Sequence, residues 1–352
     1  MAERTGLVAL FGSGETSSSG RRVYEWVFSR LAAPVRVALL ETPAGFQPNS
    51  ALVSQKVASF LEERLQNYHP ETVVIPARRR GTAVSPDDPL ILAPMLAANA
   101  IFTGPGSPTY AVRQLDGSLA WDYVRAKHRI GAAVLLASAA TVAAGARCLP
   151  VYEIYKVGED LHWQKGLDLF GPYGLSLTFV PHWDNNEGGS ELDTSRCFMG
   201  TVRFRELLNM LPPGSTVVGI DEHTALLVDL DGGICRVMGR GGVTLLRDGE
   251  EARYSGGQGF PADTLGPIRI PPGEEVISAD IWREILTGEK RLWEPMTPPP
   301  DVLTLFESRN AARAERNWRE SDELRSRIQE MGWRVVDTMD GPTLEPMRSR
   351  EG

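Results

Sequence analysis

Cysteine is scarce in this chain: Cys148, Cys197 and Cys235 are the three in 352 residues. An odd, widely spaced set offers neither a disulfide framework nor a CxxC metal pair, and it points to a reducing compartment. Basic excess is lacking too. Thirty-seven Lys and Arg against 45 Asp and Glu give a formal net charge of −8, which excludes a broad basic surface for DNA or an anionic membrane. No apolar run approaches the roughly 18 residues of a membrane span. The first such run, residues 7–11, is too short for a signal-peptide core. A cytoplasmic protein is expected.

What is present is a regular alternation. Residues 7–11, 35–40, 72–75, 99–103, 132–136 and 175–180 read as buried strands, because their apolar character is continuous and not alternating. Residues 21–32, 51–67, 90–97, 110–126 and 203–211 read as helices. Strand and helix in turn predict an α/β fold with a doubly wound, mostly parallel sheet. Residues 216–220, 224–228, 234–238 and 243–246, separated by Gly-rich turns, predict an antiparallel extension at the sheet edge. These patterns place an α/β domain at residues 1–265, a Pro-rich linker with a short helix at 266–300, and a small helical unit at 301–347.

Glycines and small residues punctuate the strand ends, where α/β sites are built. Gly12-Ser13-Gly14-Glu15 follows the first strand, but position 17 is Ser17, so no dinucleotide fingerprint is complete, and no lysine-bearing P-loop exists. No cofactor is expected. Gly104-Pro105-Gly106 follows the fourth strand and reads either as a turn or as an oxyanion-binding backbone. After the fifth strand, Ala137-Ser138-Ala139-Ala140 puts a serine where strand gives way to helix. Ser138 there is either a helix N-cap or a nucleophile on an elbow.

A nucleophilic serine needs a base, and histidine is rare: five residues in all. His69 and His128 read as surface residues. His182, just beyond the strand at 175–180, is the candidate base, and Glu153, Glu159 and Asp160 are carboxylates between it and Ser138. The polar loop after His182 holds Asp184, Asn185, Glu187 and Asp193. Such a group could ligate a cation, but a loop this rich in Asn and Gly more often caps its own backbone, so no metal is expected. Arg196 is a candidate for gripping a substrate carboxylate or for a structural ion pair. Trp183 and Trp163 are candidates for pocket walls or for packing, and Asn185 is a further substrate-binding candidate.

Several of these pieces resemble one family. Leu10-Phe11-Gly12-Ser13-Gly14-Glu15, Phe102-Thr103-Gly104-Pro105-Gly106, Ala137-Ser138-Ala139-Ala140, Gly166-Leu167-Asp168-Leu169, Pro181-His182 and Gly219-Ile220-Asp221-Glu222-His223-Thr224-Ala225 look like the cyanophycinase and aspartyl dipeptidase (peptidase E) group. The resemblance runs from about residue 6 to residue 250. It implies a class I glutamine-amidotransferase-like, flavodoxin-like fold and a serine peptidase acting on a small peptide or isopeptide. By position it implies Ser138 as nucleophile, His182 as base and Glu153 as acid, with Glu159 as the fallback. Oxyanion donors would then come from Gly104, Gly106 and Ala139. Two glycines of the family's serine turn are Leu136 and Ala140 here, and the residues around His182 also depart from it. A glutamine amidotransferase would need cysteine at position 138. The alternative is a weakened, ligand-binding relative.

A second resemblance lies past the linker. Glu307 to Arg313, Trp318 to Arg325, and Gly332 to Thr338 look like the C-terminal helical hairpin and short strand of cysteinyl-tRNA synthetases. None of the synthetase's catalytic motifs accompanies it. Arg309, Arg313, Arg316 and Arg319 recur at spacings of three and four, but Glu315, Glu320 and Glu323 intervene. A packing or homodimer role is therefore favoured over tRNA binding.

Overall fold

The computed structural model describes residues 4–287, 300–331, 333–338 and 341–346. The chain divides into two compact units, one of residues 1–80 and 84–293, the other of residues 81–83 and 294–352. No helix among the described residues is long and apolar enough to cross a membrane.

The larger unit holds β1 (Val8–Phe11), α1 (Ser18–Phe28), β2 (Arg36–Leu40), α2 (Ser50–Arg64), β3 (Glu71–Ile75), α3 (Pro89–Ala97) and β4 (Ala100–Thr103). It continues with α4 (Pro108–Leu115), α5 (Leu119–Arg129), β5 (Ala133–Ala137), α6 (Ala139–Ala143), β6 (Arg147–Cys148), β7 (Gln164–Lys165), β8 (Leu177–Val180) and α7 (Gly200–Asn209). Next come β9 (Thr216–Ile220), β10 (Thr224–Asp229), β11 (Ile234–Gly239), β12 (Gly242–Arg247), β13 (Glu250–Ser255), β14 (Gly259–Pro261), α8 (Gly273–Val276) and α9 (Ala279–Thr287).

An eight-stranded sheet runs β14-β11-β10-β1-β5-β4-β2-β3. Its five strands from β1 to β3 are parallel, and β10, β11 and β14 extend it antiparallel. Successive side chains alternate faces. Val8 and Leu10 of β1, with Val134 and Leu136 of β5, join a core closed by Met95 of α3 and Trp121 and Val124 of α5. Ala9, Phe11, Ala133 and Leu135 join another, closed by Tyr24 and Phe28 of α1 and Val57 and Leu61 of α2. Burial on both faces is why these strands read as unbroken apolar runs.

Four features depart from the sequence reading. The helix expected at residues 110–126 is two helices, because Ser118 caps a new start by accepting from the Trp121 N–H at 3.2 Å. The antiparallel strands do not share one edge. β9 and β12 instead belong to a second sheet, β13-β12-β9-β8, in which β8 and β9 are parallel. Residues 273–276 and 279–287 of the stretch expected as a linker with one short helix form two, α8 and α9, and Ile277, Trp282 and Ile285 join the core that includes α5. The remaining linker residues, 288–299, lie outside the described residues.

In the smaller unit, α10 (Pro300–Ala314) and α11 (Trp318–Glu330) meet a hairpin of β15 (Trp333–Thr338) and β16 (Gly341–Pro346). Val302, Ile328, Trp333 and Val335 form its core, and Asn317 caps α11.

The fourth departure is His128, expected at the surface but 1% exposed. Its Nδ1 meets the Tyr173 hydroxyl at 2.8 Å and its Nε2 the Gly6 carbonyl oxygen at 2.9 Å. Burial pushes this imidazole down to about 4, against which the Gly6 contact works in part. The unfolded chain therefore binds a proton in a window where the folded chain does not. The neutral imidazole's contribution is complete above the ordinary histidine pKa of about 6.5 and is lost as pH falls through the folded value. A loss on the order of 3 kcal/mol is expected across that window. Urea unfolding of the wild type between pH 7 and 4 measures it, and His128→Gln is expected to flatten the dependence.

Candidate active site

Strand register brings the candidate residues to one edge. Phe11 of β1 pairs with Ala137 of β5 and with Ala225 of β10, so Ser138 and the turn before β10 leave the sheet side by side. In the second sheet Val180 pairs with Gly219, which places Pro181-His182 beside the end of β9. The turn from β9 to β10, Asp221-Glu222-His223, crosses from one sheet to the other.

Ser138 has φ 51° and ψ −108° and makes no side-chain cap to α6. Its hydroxyl therefore does not cap the helix. The Ser138 Oγ lies 3.0 Å from His182 Nε2. Small neighbours make the sharp turn fit: Ala137, Ala139 and Ala140 are all buried, and the Thr141 hydroxyl donates to the carbonyls of Phe11 and Leu136.

His182 also has a left-handed backbone, φ 52°. Its carbonyl accepts from the N–H groups of Asn185 and Cys197. Its Nδ1 lies 2.9 Å from Glu222 Oε1, and the Asn185 amide donates to the same oxygen at 3.2 Å. A carboxylate accepting at Nδ1 fixes the proton there, which leaves the Nε2 lone pair for the serine hydroxyl. The His182 hydrogen bond, helped by Asn185 and opposed by desolvation, holds the Glu222 carboxyl below the usual carboxylate range. This carboxylate's contribution to folding is therefore full above about pH 4.3 and is lost as pH falls through its lower folded value.

The carboxylate in contact with His182 is that of Glu222, and not that of Glu153. The Glu153 carboxylate instead accepts from the Thr109 hydroxyl, 2.5 Å away at the start of α4. Glu159, the fallback, lies 3.9 Å from His162. Glu222 stands in the motif Gly219-Ile220-Asp221-Glu222, but it follows the histidine in the chain, so a search for a carboxylate between Ser138 and His182 passes over it.

The three substrate-binding candidates have structural partners. Asn185 is 2% exposed and steadies Glu222. Trp183 is 4% exposed and packs edge-on against Phe204 at 5.2 Å. Arg196 donates to the Trp183 carbonyl at 2.9 Å and stacks over the Trp183 ring at 3.9 Å. Trp163 donates to the Leu207 carbonyl. The loop carboxylates cap backbone: Asp184 accepts from the Glu222 N–H, and Asp193 from Ser195 and Thr201.

Gly12 explains the first glycine motif. Its amide donates to the Thr224 carbonyl, and a Cβ there would lie 2.1 Å from the Asp221 carbonyl oxygen, so only glycine lets β1 run so close beneath the Glu222 turn. Gly106, at φ 149°, lies where a Cβ would meet the Pro43 carbonyl oxygen at 2.1 Å. That contact seats the Gly104–Gly106 segment beside the elbow, because Thr103 of β4 pairs with Leu136 of β5. The N–H groups of Ala139 and Ala140 begin α6 and have no acceptor within the helix.

No family model matches the sequence. The structure is similar to the crystal structure of a peptidase from an acI-B1 Actinobacterium, with a TM-score of 0.58 and 17% identity over 74% of this chain and 98% of that one. The fold is what they share. It is an α/β fold with a large, mostly parallel central sheet. A putative peptidase E protein from Listeria monocytogenes EGD-e matches at a TM-score of 0.42 and 12% identity, over 71% of this chain and 98% of that one. Separately, 77 residues are 34% identical to cysteine–tRNA ligase 1 of Burkholderia lata, covering 21% of this chain and 16% of the ligase's length.

The elbow geometry predicts an inverted stability order. Ser138→Gly relieves the left-handed backbone and Ser138→Ala does not, so the glycine variant is expected to be more stable than the alanine variant by about 1 kcal/mol or more. Denaturant unfolding of the two compares them directly, and an alanine variant at least as stable would mean that no strain is stored at φ 51°.

Proposed function

We propose that the protein is a serine hydrolase that cleaves a small peptide or amide through an acyl-enzyme. The observation that carries this reading is the continuous contact Ser138 Oγ–His182 Nε2–Nδ1–Glu222 Oε1, at 3.0 and 2.9 Å, with the serine on a left-handed elbow. A serine held only as a helix cap would turn its hydroxyl to the helix.

The chemistry follows from the groups. His182 Nε2 takes the hydroxyl proton as Ser138 Oγ bonds to the substrate carbonyl carbon, and Glu222 stabilises the imidazolium. The backbone N–H groups of Ala139 and of the segment at Gly104 and Gly106 are the candidate donors to the oxyanion. The imidazolium then protonates the leaving nitrogen as the carbon–nitrogen bond breaks. Water attacks the acyl-enzyme with the same histidine as base, releasing the acid and regenerating Ser138.

Stoichiometric labelling by an alkyl fluorophosphonate is expected in the wild type and is expected to vanish in Ser138→Ala and His182→Ala. Glu222→Gln is expected to slow labelling by a factor on the order of 10³–10⁴. Intact, folded wild type that does not label would overturn the reading.

For the smaller unit, we propose a packing role and not a tRNA site. Arg309 is 0% exposed, Arg313 lies over the Trp318 ring, and Arg319 pairs with Glu323, so three of the four spaced arginines are engaged within the unit. Filter binding with unfractionated tRNA is expected to show no saturable retention between 50 and 200 mM salt, where phosphate contacts are strongly salt-dependent. Saturable retention with a steep salt slope would restore the RNA-binding reading suggested by the likeness to the ligase.

A further inference from the structure

Residues 196–198 are all left-handed, and the run ends on Phe198 at φ 67°. So bulky a residue in that region is an outlier, and strain of this kind gathers at functional sites. The Phe198 amide donates to the Thr194 carbonyl at 3.0 Å, and its carbonyl accepts from Arg203 Nη2 at 2.8 Å. The backbone so fixed sets the ring 6.3 Å from that of His182, tilted by 47°. A second ring, that of Tyr155 in the π-helical turn Glu153–Val157, lies 5.3 Å from Phe198. Both rings are only half-buried, as is Ser138, and 20% of the His182 side chain is open to solvent.

A place beside the imidazole has chemical meaning. In amide cleavage by this pair, His182 Nε2 hands a proton to the leaving nitrogen, which must come within about 3 Å of it. A side chain one or two carbons beyond that nitrogen then lies about as far from the imidazole as the Phe198 ring does. The nearby guanidinium groups are engaged elsewhere: Arg196 covers Trp183, and Arg203 donates to the carbonyls of Phe198 and Met199. What this turn offers beside the base is therefore a phenyl face. The Lys156 ammonium lies 4.9 Å over the Tyr155 ring, which makes an acidic leaving residue the rival outcome.

We propose that Phe198, supported by Tyr155, is a specificity-determining residue that selects a large apolar side chain, aromatic best, on the amine side of the scissile bond. This role rests on the proposed serine chemistry, which sets the place of the leaving nitrogen. A phenyl side chain laid against Phe198 leaves water and gains a ring–ring contact, whereas a small residue leaves the Phe198 face wet. A ring that only packed beside His182 would make no such selection.

Running the cleavage backwards on the full chain reads this side of the site. Acetylation of Ser138 by p-nitrophenyl acetate releases p-nitrophenolate, and the acetyl group then passes to water or to an added amine: glycinamide, leucinamide, phenylalaninamide or aspartic acid α-amide. The amine nitrogen bonds to the acetyl carbon and gives a proton to His182 Nε2. The Ser138 ester bond breaks, and the imidazolium returns a proton to Oγ, yielding the N-acetyl amide. Phenylalaninamide is expected to compete with water about ten- to thirty-fold better than glycinamide, the effect of burying most of one phenyl side chain, with leucinamide between them. This ratio is internal to one acyl-enzyme, so a general loss of activity leaves it unmoved. In Phe198→Asn, a residue that tolerates the left-handed backbone, it is expected to fall to about three-fold or less. Equal capture of the amines by the wild type, a preference for the aspartic amide, or a ratio unchanged in Phe198→Asn overturns the proposal. Neither fluorophosphonate labelling nor a Ser138-dependent burst of p-nitrophenolate would overturn the serine chemistry and this role with it, whereas a burst without amine preference overturns this role alone. Where labelling succeeds without acetylation, protection from labelling by phenylalaninamide relative to glycinamide reads the same preference. Should Phe198→Asn not fold, Phe198→Gly takes its place with the same expected fall.

Discussion

The corner between β9 and β10 is the constraint on which the site depends. Ser138 ends a strand of the large sheet, and His182 follows a strand of the small one. A 3.0 Å contact between them requires the two sheets to be held in fixed relation. The chain passes from one sheet to the other at Asp221-Glu222-His223, and that turn is tied down on every side. Asp221 accepts from the Gly242 amide and from Arg253, the Glu222 amide donates to Asp184, and the His223 amide donates to Ser13. The carboxylate that orients the imidazole is therefore part of the joint itself.

Backbone strain is concentrated around the same place. Ser138, His182, Arg196, Cys197, Phe198 and His223 all have left-handed φ values between 51° and 67°. Each such residue costs of order 1–3 kcal/mol and persists only where its surroundings over-determine it. The surroundings here are visible. Three consecutive left-handed residues, 196–198, form a turn against His182, with the Arg196 amide bonded to the Trp183 carbonyl and the Cys197 amide to the His182 carbonyl. The Arg196 guanidinium closes on the same Trp183 carbonyl and covers the ring. Arg196, Trp183 and Asn185 hold the loop that aims His182.

The sheet was legible in the sequence because a strand buried on both faces writes itself as a continuous apolar run. The elbow was legible because small residues at a strand end mark a crowded turn. His128 was not, since its neighbours Lys127 and Arg129 look like a surface, yet all three are buried, their polar atoms meeting backbone and hydroxyl groups from distant segments. Such partners have no local signature. The division of β9 and β10 between sheets was hidden for a related reason. Gly-rich turns predict hairpins, whereas the close approach of Gly12 to the Asp221 carbonyl, more than 200 positions away in sequence, is what shapes the corner.

The carboxylate beside His182 shows how order along the chain can mislead. Ser138 and His182 invite a search for the carboxylate between them, where Glu153 stands. Spatial adjacency is set by strand order instead, and β9 lies next to β8, so the residue just past β9 reaches the imidazole although it comes 40 positions after His182.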